Sequence, residues 1–360
     1  MKAGRTIQEM GEEILRQSQA KQDYLVNTSK IVMQDWDGQP MLHLCDEQGP
    51  DLLEPFDIQQ TAHRQIGDYL GIPRKYYDRM LTEDAGLLAY NVNRWFQRKP
   101  EQRMIRTIDG RARAFLSNRY RRIDNLDIAR VTLPVIGEMK DARYESCQLT
   151  EDYLYIKVVN PRLVAEVVPG DVVQGGVVIT NSETGLGAVS VQPLIYRLVC
   201  SNGMVVNDAK SRRNHVGRAE TTEESFQIYS KETLAADDKA FILKLQDTVR
   251  AAIDEVKFAQ VVDKMRESKD VKLNTADIPG VVKLASSSFG ITEDESKGVF
   301  QHLIEAADYT LFGLANAVTR YSQDVESYDR ASKLEEIGYS VMTMSPVLFH
   351  TINQVTSMAA

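Results

Sequence analysis

Arginines are concentrated around one predicted β-hairpin. Residues 104–116, MIRTI-DG-RARAFL, alternate polar and apolar side chains on both sides of an Asp-Gly pair. Such a pair between two alternating runs favours a type I′ turn joining antiparallel strands. With a two-residue loop, Arg106 is expected opposite Arg113, on the same face as Arg111. Because directly opposed like charges destabilise a sheet, this face should hold an anion, either a carboxylate of the chain itself or a ligand phosphate.

Aromatic residues are interleaved with these cations. The alternation places Phe115 on the arginine face, while the opposite, small apolar face is expected to pack on the core. SNRYRR follows the hairpin, NRWFQRK precedes it at residues 93–99, and KSRRNHVGR forms a second basic patch at 210–218. Arginine mixed with aromatic rings is typical of proteins that bind a single-stranded backbone and stack its bases. The predicted nucleic-acid-binding residues are Arg106, Arg111, Arg113, Phe115, Arg119, Tyr120, Arg121, Arg122, Lys210, Arg212 and Arg213.

The distribution of charge leaves a structural alternative open. The net charge is −8, yet residues 94–130 hold eleven Lys and Arg against four Asp and Glu, whereas the acidic residues dominate towards both ends. A dipolar chain of this kind can attract polyanions locally, or can pair its arginines with its own acidic helices. For the patch at 210–218, the alternative is a polar linker.

No catalytic motif is found in the sequence. It contains neither a GxxxxGK[ST] phosphate loop nor a GxSxG elbow, and its five histidines are isolated from one another. The three cysteines are an odd number at wide spacing, which argues against a disulfide framework or a structural zinc site. We therefore predict no cofactor, no metal and no enzymatic activity, with an unrecognised hydrolase as the lowest-ranked reading.

The order of periodicities predicts an α+β protein, in which an antiparallel twisted β-sheet with hairpins is backed by helices and followed by a helical C-terminal region. The expected regions are a mainly helical part at 1–85, a β-rich core at 86–218 and a helical part at 219–360. Within them, helices are expected at 59–82 and 125–139, with one long helix at about 233–268. Asn202-Gly203 is expected to form a turn.

Membrane insertion and secretion are not indicated. No run of eighteen apolar residues exists, and the first twenty-two residues read as a polar amphipathic helix without the apolar region of a secretory signal. Together with the cysteine pattern, this favours a reducing compartment, the cytoplasm, and no membrane partner.

Three stretches resemble a known family. They are RARAFLSNRYRRIDN, then VVITNSETGLGAVSVQPLIYRLVCSNGMVV with RRNHVGR, then NAVTRYSQDVESYDRASKLEEIGYSVM. In order and wording they resemble the phage- and plasmid-associated domain-of-unknown-function family 932, over most of residues 86–345. The resemblance implies a phage or mobile-element protein in a bacterial host cell, and carries no established activity.

Three functions are compatible with these observations. The leading expectation is single-stranded DNA binding in phage or plasmid replication or recombination, with strand annealing suggested by analogy between folds. The alternative is a protein-binding or host-inhibitory factor of a mobile element, whose dipolar charge drives homo-oligomer formation or capture of a host protein. The hydrolase comes third. Steep, log-linear weakening of binding by salt would separate the first from the second.

Overall fold

Two β-sheets with helices packed on their faces make up the fold of the chain, which confirms the predicted α+β class. In place of the single sheet expected from the sequence, there are two. The computed structural model describes residues 1–45, 55–118, 120, 122–187, 189–207, 231–252 and 254–354.

The elements have the following bounds. The strands are β1 Lys21–Asn27, β2 Ile31–Trp36, β3 Gln39–Leu44, β4 Phe56–Ile58, β5 Gln102–Ile108, β6 Arg111–Ser117, β7 Arg143–Leu149, β8 Leu154–Glu166, β9 Val172–Asn181, β10 Ser190–Arg197 and β11 Asn202–Val205. The helices are α1 Ile7–Ala20, α2 Gln60–Leu70, α3 Arg74–Glu83, α4 Ala85–Arg98, α5 Asn125–Gly137, α6 Lys231–Ala252, α7 Glu255–Asp270, α8 Ile278–Ser288, α9 Glu293–Ala306, α10 Leu311–Tyr321, α11 Tyr328–Met342 and α12 Pro346–Asn353.

The first sheet combines the N-terminal strands with the arginine hairpin. Its order is β1-β5-β6-β4-β3-β2, and all neighbours are antiparallel except the parallel pair β4–β6. One face packs against α2, α3 and α4 around Ile66, Leu88, Phe96 and Ile105. The sequence did not predict β1 to β4, and two of these strands, β1 and β4, pair with β5 and β6 across the expected boundary between residues 85 and 86. Whether the three expected regions fold as separate units stays a prediction.

The second sheet is antiparallel throughout, in the order β11-β10-β9-β8-β7. Its buried residues belong largely to two clusters, one shared with α1, α5 and α6 and the other shared with the C-terminal helices α7 to α12. A sheet buried on both faces needs strands that are apolar throughout, and VVQGGVVITN in β9 has that composition. Val177 and Val178, which point to opposite faces of the sheet, are 0% and 2% exposed, so both faces are buried.

Several local predictions need correction. Residues 85–98, expected to begin the β-rich block, form α4, because its buried residues recur every three or four positions. The long helix expected at 233–268 is divided into α6 and α7, and the side chain of Asp254 caps the start of α7. Asn202-Gly203 lies inside β11 rather than in a turn; the left-handed residue before β11 is Ser201, with φ 51°. The helix expected at 125–139 is found as α5.

No described helix combines the length and the apolar character needed to cross a membrane. Cys45, Cys147 and Cys200 are all free thiols in the structure.

Candidate nucleic-acid interface

The hairpin has the predicted turn but not the predicted register. Positive φ angles at Asp109 and Gly110, 48° and 72°, accommodate the tight turn. Beyond it a β-bulge shifts the pairing, so that Arg106 lies opposite Ala114 and Arg113 is the extra, unpaired residue. The expected opposition of Arg106 and Arg113 is therefore wrong. A simple two-residue period cannot reveal an inserted residue.

The same bulge moves Phe115 to the other face of the hairpin. Phe115 is buried beside Ile105, stacks on Phe96 with ring centroids 5.7 Å apart, and contacts Tyr69. The expectation that Phe115 lies on the arginine face and stacks a base is thus wrong, since the ring belongs to the core. The reversal follows from the extra residue, because every side chain beyond a bulge changes face.

Tyr120 is also enclosed by its own chain. Its ring packs against Met104, Ala114 and Leu116, and its hydroxyl donates a hydrogen bond to the carbonyl of Ser182 at 3.2 Å. Burial raises the pKa of the Tyr120 phenol above its ordinary value. The ring is thus partly exposed, and its expected role in stacking a base stays a prediction.

Arg106 is bound by carboxylates of the chain. Its side chain is only 3% exposed, and it donates to both oxygens of Asp23 at 2.8 and 3.2 Å and to Asp124 at 2.7 Å. A fourth hydrogen bond goes to the carbonyl of Glu183 at 3.1 Å. Burial lowers the pKa of Arg106, but the hydrogen bonds from the guanidinium to the two carboxylates outweigh it, so the pKa is raised overall. The anion that the sequence required beside this residue is internal.

Arg113 has a buried partner as well. Its Nη1 donates to Glu183 Oε2 at 3.0 Å, with side chains 7% and 4% exposed, and its Nη2 donates to the carbonyl of Glu151. Glu183 follows β9 of the second sheet, and it also accepts from the backbone of Asn125 at the start of α5. The two arginines therefore join the first sheet to the second, which is a structural task.

The remaining predicted cations differ in exposure. Arg111 is 49% exposed and pairs with Asp57 at 3.1 Å, while Arg122 is exposed and pairs with Asp23 at 3.1 Å. Both retain a solvent-facing side that an added anion can approach. Five predicted residues lie outside the part of the chain that the structure describes, and their role stays a prediction: Arg119, Arg121, Lys210, Arg212 and Arg213.

An aromatic and basic surface occurs instead on α4. Asp84 caps this helix by accepting from the backbone of Leu87, and the buried residues of the helix pack on the first sheet. Away from these buried residues the helix is exposed, and five of its exposed side chains form what we call the α4 stripe: Leu87, Tyr90, Arg94, Trp95 and Arg98. Tyr90 is 67% exposed and Trp95 is 43% exposed. Large exposed rings beside arginines are unusual on a protein surface unless they bind something.

The C-terminal end of α4 borders an open cavity of about 510 Å³, lined by Tyr69, Leu70, Trp95, Arg98 and Lys99. Tyr69 is fixed there by a hydrogen bond from its hydroxyl to the carbonyl of Lys99 at 3.1 Å, and by the guanidinium of Arg103, 3.9 Å from its ring centre. The guanidinium of Arg98 lies 5.4 Å from the ring centre of Trp95. The cavity thus joins aromatic faces to cations.

The charge of this surface is positive. Residues 85–99 include three cations and no acidic residue. Lys99 and Arg103 pair with Glu101, at 3.2 and 2.9 Å, and hydrogen bonds from these two cations lower the pKa of that carboxyl. Neither Arg94 nor Arg98 has a carboxylate partner among the described residues, so both remain available to an external anion.

In the sequence, NRWFQRK is visible as a basic and aromatic flank of the hairpin, but its residues are not among the predicted binding residues. The pattern that would have identified the stripe is the three- and four-residue spacing of Tyr90, Arg94, Trp95 and Arg98. Tyr69 could not have been found in this way, because it comes from another helix.

Over the residues that the structure describes, no three His, Cys, Asp or Glu side chains are grouped so that they could hold a metal ion. The buried pair Lys157–Glu335, with Nζ and Oε2 2.6 Å apart, is fully enclosed and joins β8 to α11.

Comparison with known proteins identifies the family alone. Neither a curated protein nor a solved structure matches the chain. The family model described as "Domain of unknown function (DUF932)" matches residues 114–340, which is more than half of the chain. The matched range includes the end of β6, the second sheet and most of the C-terminal helices, whereas α4 lies before it. The chain therefore belongs to the DUF932 family.

Proposed function

We propose that this protein binds single-stranded nucleic acid through the α4 stripe and the cavity at its end. The observation that carries the proposal is the contact between the exposed ring of Trp95 and the guanidinium of Arg98, both of which line the cavity. Helix α4 contains no acidic residue that could neutralise this charge. Aromatic rings can stack bases of any sequence, while arginines bind the phosphates between them.

The dimensions of the stripe suit a short stretch of polymer. From Leu87 to Arg98 the helix rises about 16 Å, since each residue adds about 1.5 Å. At a stacked spacing of about 3.4 Å per nucleotide, this length corresponds to about five nucleotides. A duplex would hide its base faces from Tyr90 and Trp95, so the stripe favours single strands. We extend the proposal to a role in phage or plasmid replication or recombination, in which several copies of the protein assemble on one strand.

The test is a salt-titrated binding assay with fluorescein-labelled oligothymidylates of increasing length. Affinity should rise until about five nucleotides and should fall log-linearly with salt, with a slope of about −0.7 for each phosphate contact. Arg94→Gln and Arg98→Gln should each reduce the slope by roughly one contact. Trp95→Ala should cost about 1–3 kcal/mol of binding free energy, as expected for the loss of one stacked base.

Two matched variants control for trivial effects. Arg79→Gln removes an exposed cation from neighbouring α3, where Arg79 pairs with Glu83, and should leave binding unchanged. The chain has two tryptophans, so Trp36→Phe leaves Trp95 as the single fluorescent reporter. Quenching of that reporter by oligothymidylate supports stacking at Trp95. Equal affinity of wild type and both arginine variants would refute the proposed site.

A protein partner is the second candidate for the same stripe. The observation that favours it is the exposed side chain of Leu87 beside Tyr90, because tryptophan, tyrosine and arginine around an apolar residue are also typical of protein interfaces. Two results together would favour a protein interface over nucleic-acid binding. The protein would bind no oligonucleotide at low salt, and light scattering would show self-association that Tyr90→Ala abolishes.

A further inference from the structure

A second cavity, of about 190 Å³, lies far from α4 in the fold, between the second sheet and helix α7. Its floor is formed by β8, β9 and β10, with Leu163, Leu194 and Ile195 among the lining residues. The ring of Phe258 from α7 forms part of its wall. At β9 the floor is backbone only, because Gly175 has no side chain there; an added Cβ would approach Leu163 and Phe258 to 2.9 Å.

The polar groups of this cavity are gathered on one side. Lys257 and Lys264 are seven residues apart on α7, two turns along one helix face, and both line the cavity with Gln260 between them. Lys264 donates to the hydroxyl of Tyr339 at 3.2 Å, which fixes its position. Lys257 donates to the carbonyl of Ala251 at 3.3 Å, and no described carboxylate pairs with it.

We propose that this cavity binds a small amphipathic monoanion, with its apolar tail against the sheet and its carboxylate at the ammonium group of Lys257. An apolar cavity of about 150 Å³ is large enough to hold benzene, so the present one accepts a short aliphatic chain or a single ring. A concave apolar site with a few convergent polar groups is the usual form of a small-molecule site. The ammonium group of Lys257 selects an anion, because it repels a cation and is attracted less strongly by a neutral alcohol than by a carboxylate.

The experiment measures the melting temperature of the full chain with three ligands of equal tail length, octanoate, octanol and octylamine. Octanoate should raise the melting temperature in a saturable manner, because a ligand bound only by the folded state stabilises it by mass action. Octanol should do so less, and octylamine should not. Calorimetry should give one octanoate for each chain.

The matched variants separate a specific site from general surfactant binding. Lys257→Gln, an exposed substitution, should weaken octanoate binding by up to about fivefold, the range of a solvent-accessible ion pair, and should not alter octanol binding. Lys244→Gln, an exposed lysine of α6 outside the cavity, should have no effect. Val261→Phe, which fills the cavity from α7, should reduce binding of both ligands. Equal stabilisation by octanoate and octanol, or an unchanged Lys257→Gln variant, would overturn the proposal.

Discussion

Replacing Arg106 tests whether the hairpin arginines hold the protein together. In the structure this buried guanidinium makes four hydrogen bonds, to Asp23, to Asp124 and to the carbonyl of Glu183. Burial raises the pKa of the Asp124 carboxyl, but hydrogen bonds from Lys21 and Arg106 outweigh it and hold that pKa below its ordinary value. We expect Arg106→Gln to destabilise the folded chain strongly, because it leaves these acceptors without their main donor.

The magnitude follows from the environment of the pair. Breaking a buried ion pair by removing one partner costs about 3–5 kcal/mol, because the other charge stays behind unpaired. Asp23 keeps Arg122 and Asp124 keeps Lys21, at 3.1 and 2.7 Å, so the lower end of that range applies. We therefore expect a loss of about 3 kcal/mol in the free energy of unfolding.

Urea unfolding followed by circular dichroism measures this loss, and the same hairpin supplies the control. Arg111 is half exposed, as is its partner Asp57, and such pairs contribute about 0–1 kcal/mol. Arg111→Gln should thus be nearly neutral. If Arg106→Gln unfolds at the wild-type urea concentration and yet binds oligothymidylate less tightly, Arg106 acts on a ligand, and the structural reasoning given for it is refuted.

Three further expectations concern the rest of the fold. Leu245→Asp should destabilise the chain by more than about 3 kcal/mol, since Leu245 is 0% exposed, whereas Leu243→Asp, at a position 52% exposed, should change the urea midpoint little. Hydrogen bonds from Arg330 lower the pKa of Glu295 from 4.5 to about 2. This carboxyl therefore stabilises the fold by up to about 3 kcal/mol above pH 4.5, and the stabilisation is lost as the pH falls to 2. In Arg330→Gln, the free energy of unfolding in urea should depend less on pH between 4.5 and 2. Burial raises the pKa of Cys147 to about 11, so mass spectrometry should find it alkylated more slowly at neutral pH than the other two cysteines, with no disulfide-linked peptide.

The fold class was predictable because periodicity reports directly on burial. The alternating runs in β7 to β10 and the 3.6-residue spacing after residue 231 both appear in the structure as expected. The N-terminal strands were not predictable, because KQDYLVN in β1 has no strict alternation and becomes a strand by pairing with β5. Tertiary pairing of this kind overrides weak local preference.

The site was harder to predict because one inserted residue changes which side chains share a face. Next to the turn the predicted register agrees with the structure, with Ile108 opposite Arg111 and Thr107 opposite Ala112. The bulge at Arg113 then sends that arginine towards Glu183, a residue seventy positions later in the chain. The sequence of the hairpin does not indicate that Glu183 will lie beside Arg113. The internal anion could therefore be identified only from the folded structure.

The hairpin still bears on the proposed interface, through packing rather than charge. Phe115, turned inward by the bulge, stacks on Phe96, and Phe96 is the buried neighbour of Trp95 on α4. Phe115 also contacts Tyr69, whose ring lines the cavity at the end of the stripe. The inserted residue that withdraws Arg113 from solvent therefore also packs Phe115 against Tyr69, one wall of that cavity. A stacking surface binds well only when its rings are held in place beforehand, because ordering a loose side chain costs binding free energy. By this argument, the bulge that buries Arg113 also helps to hold Tyr69 in place for the proposed interface.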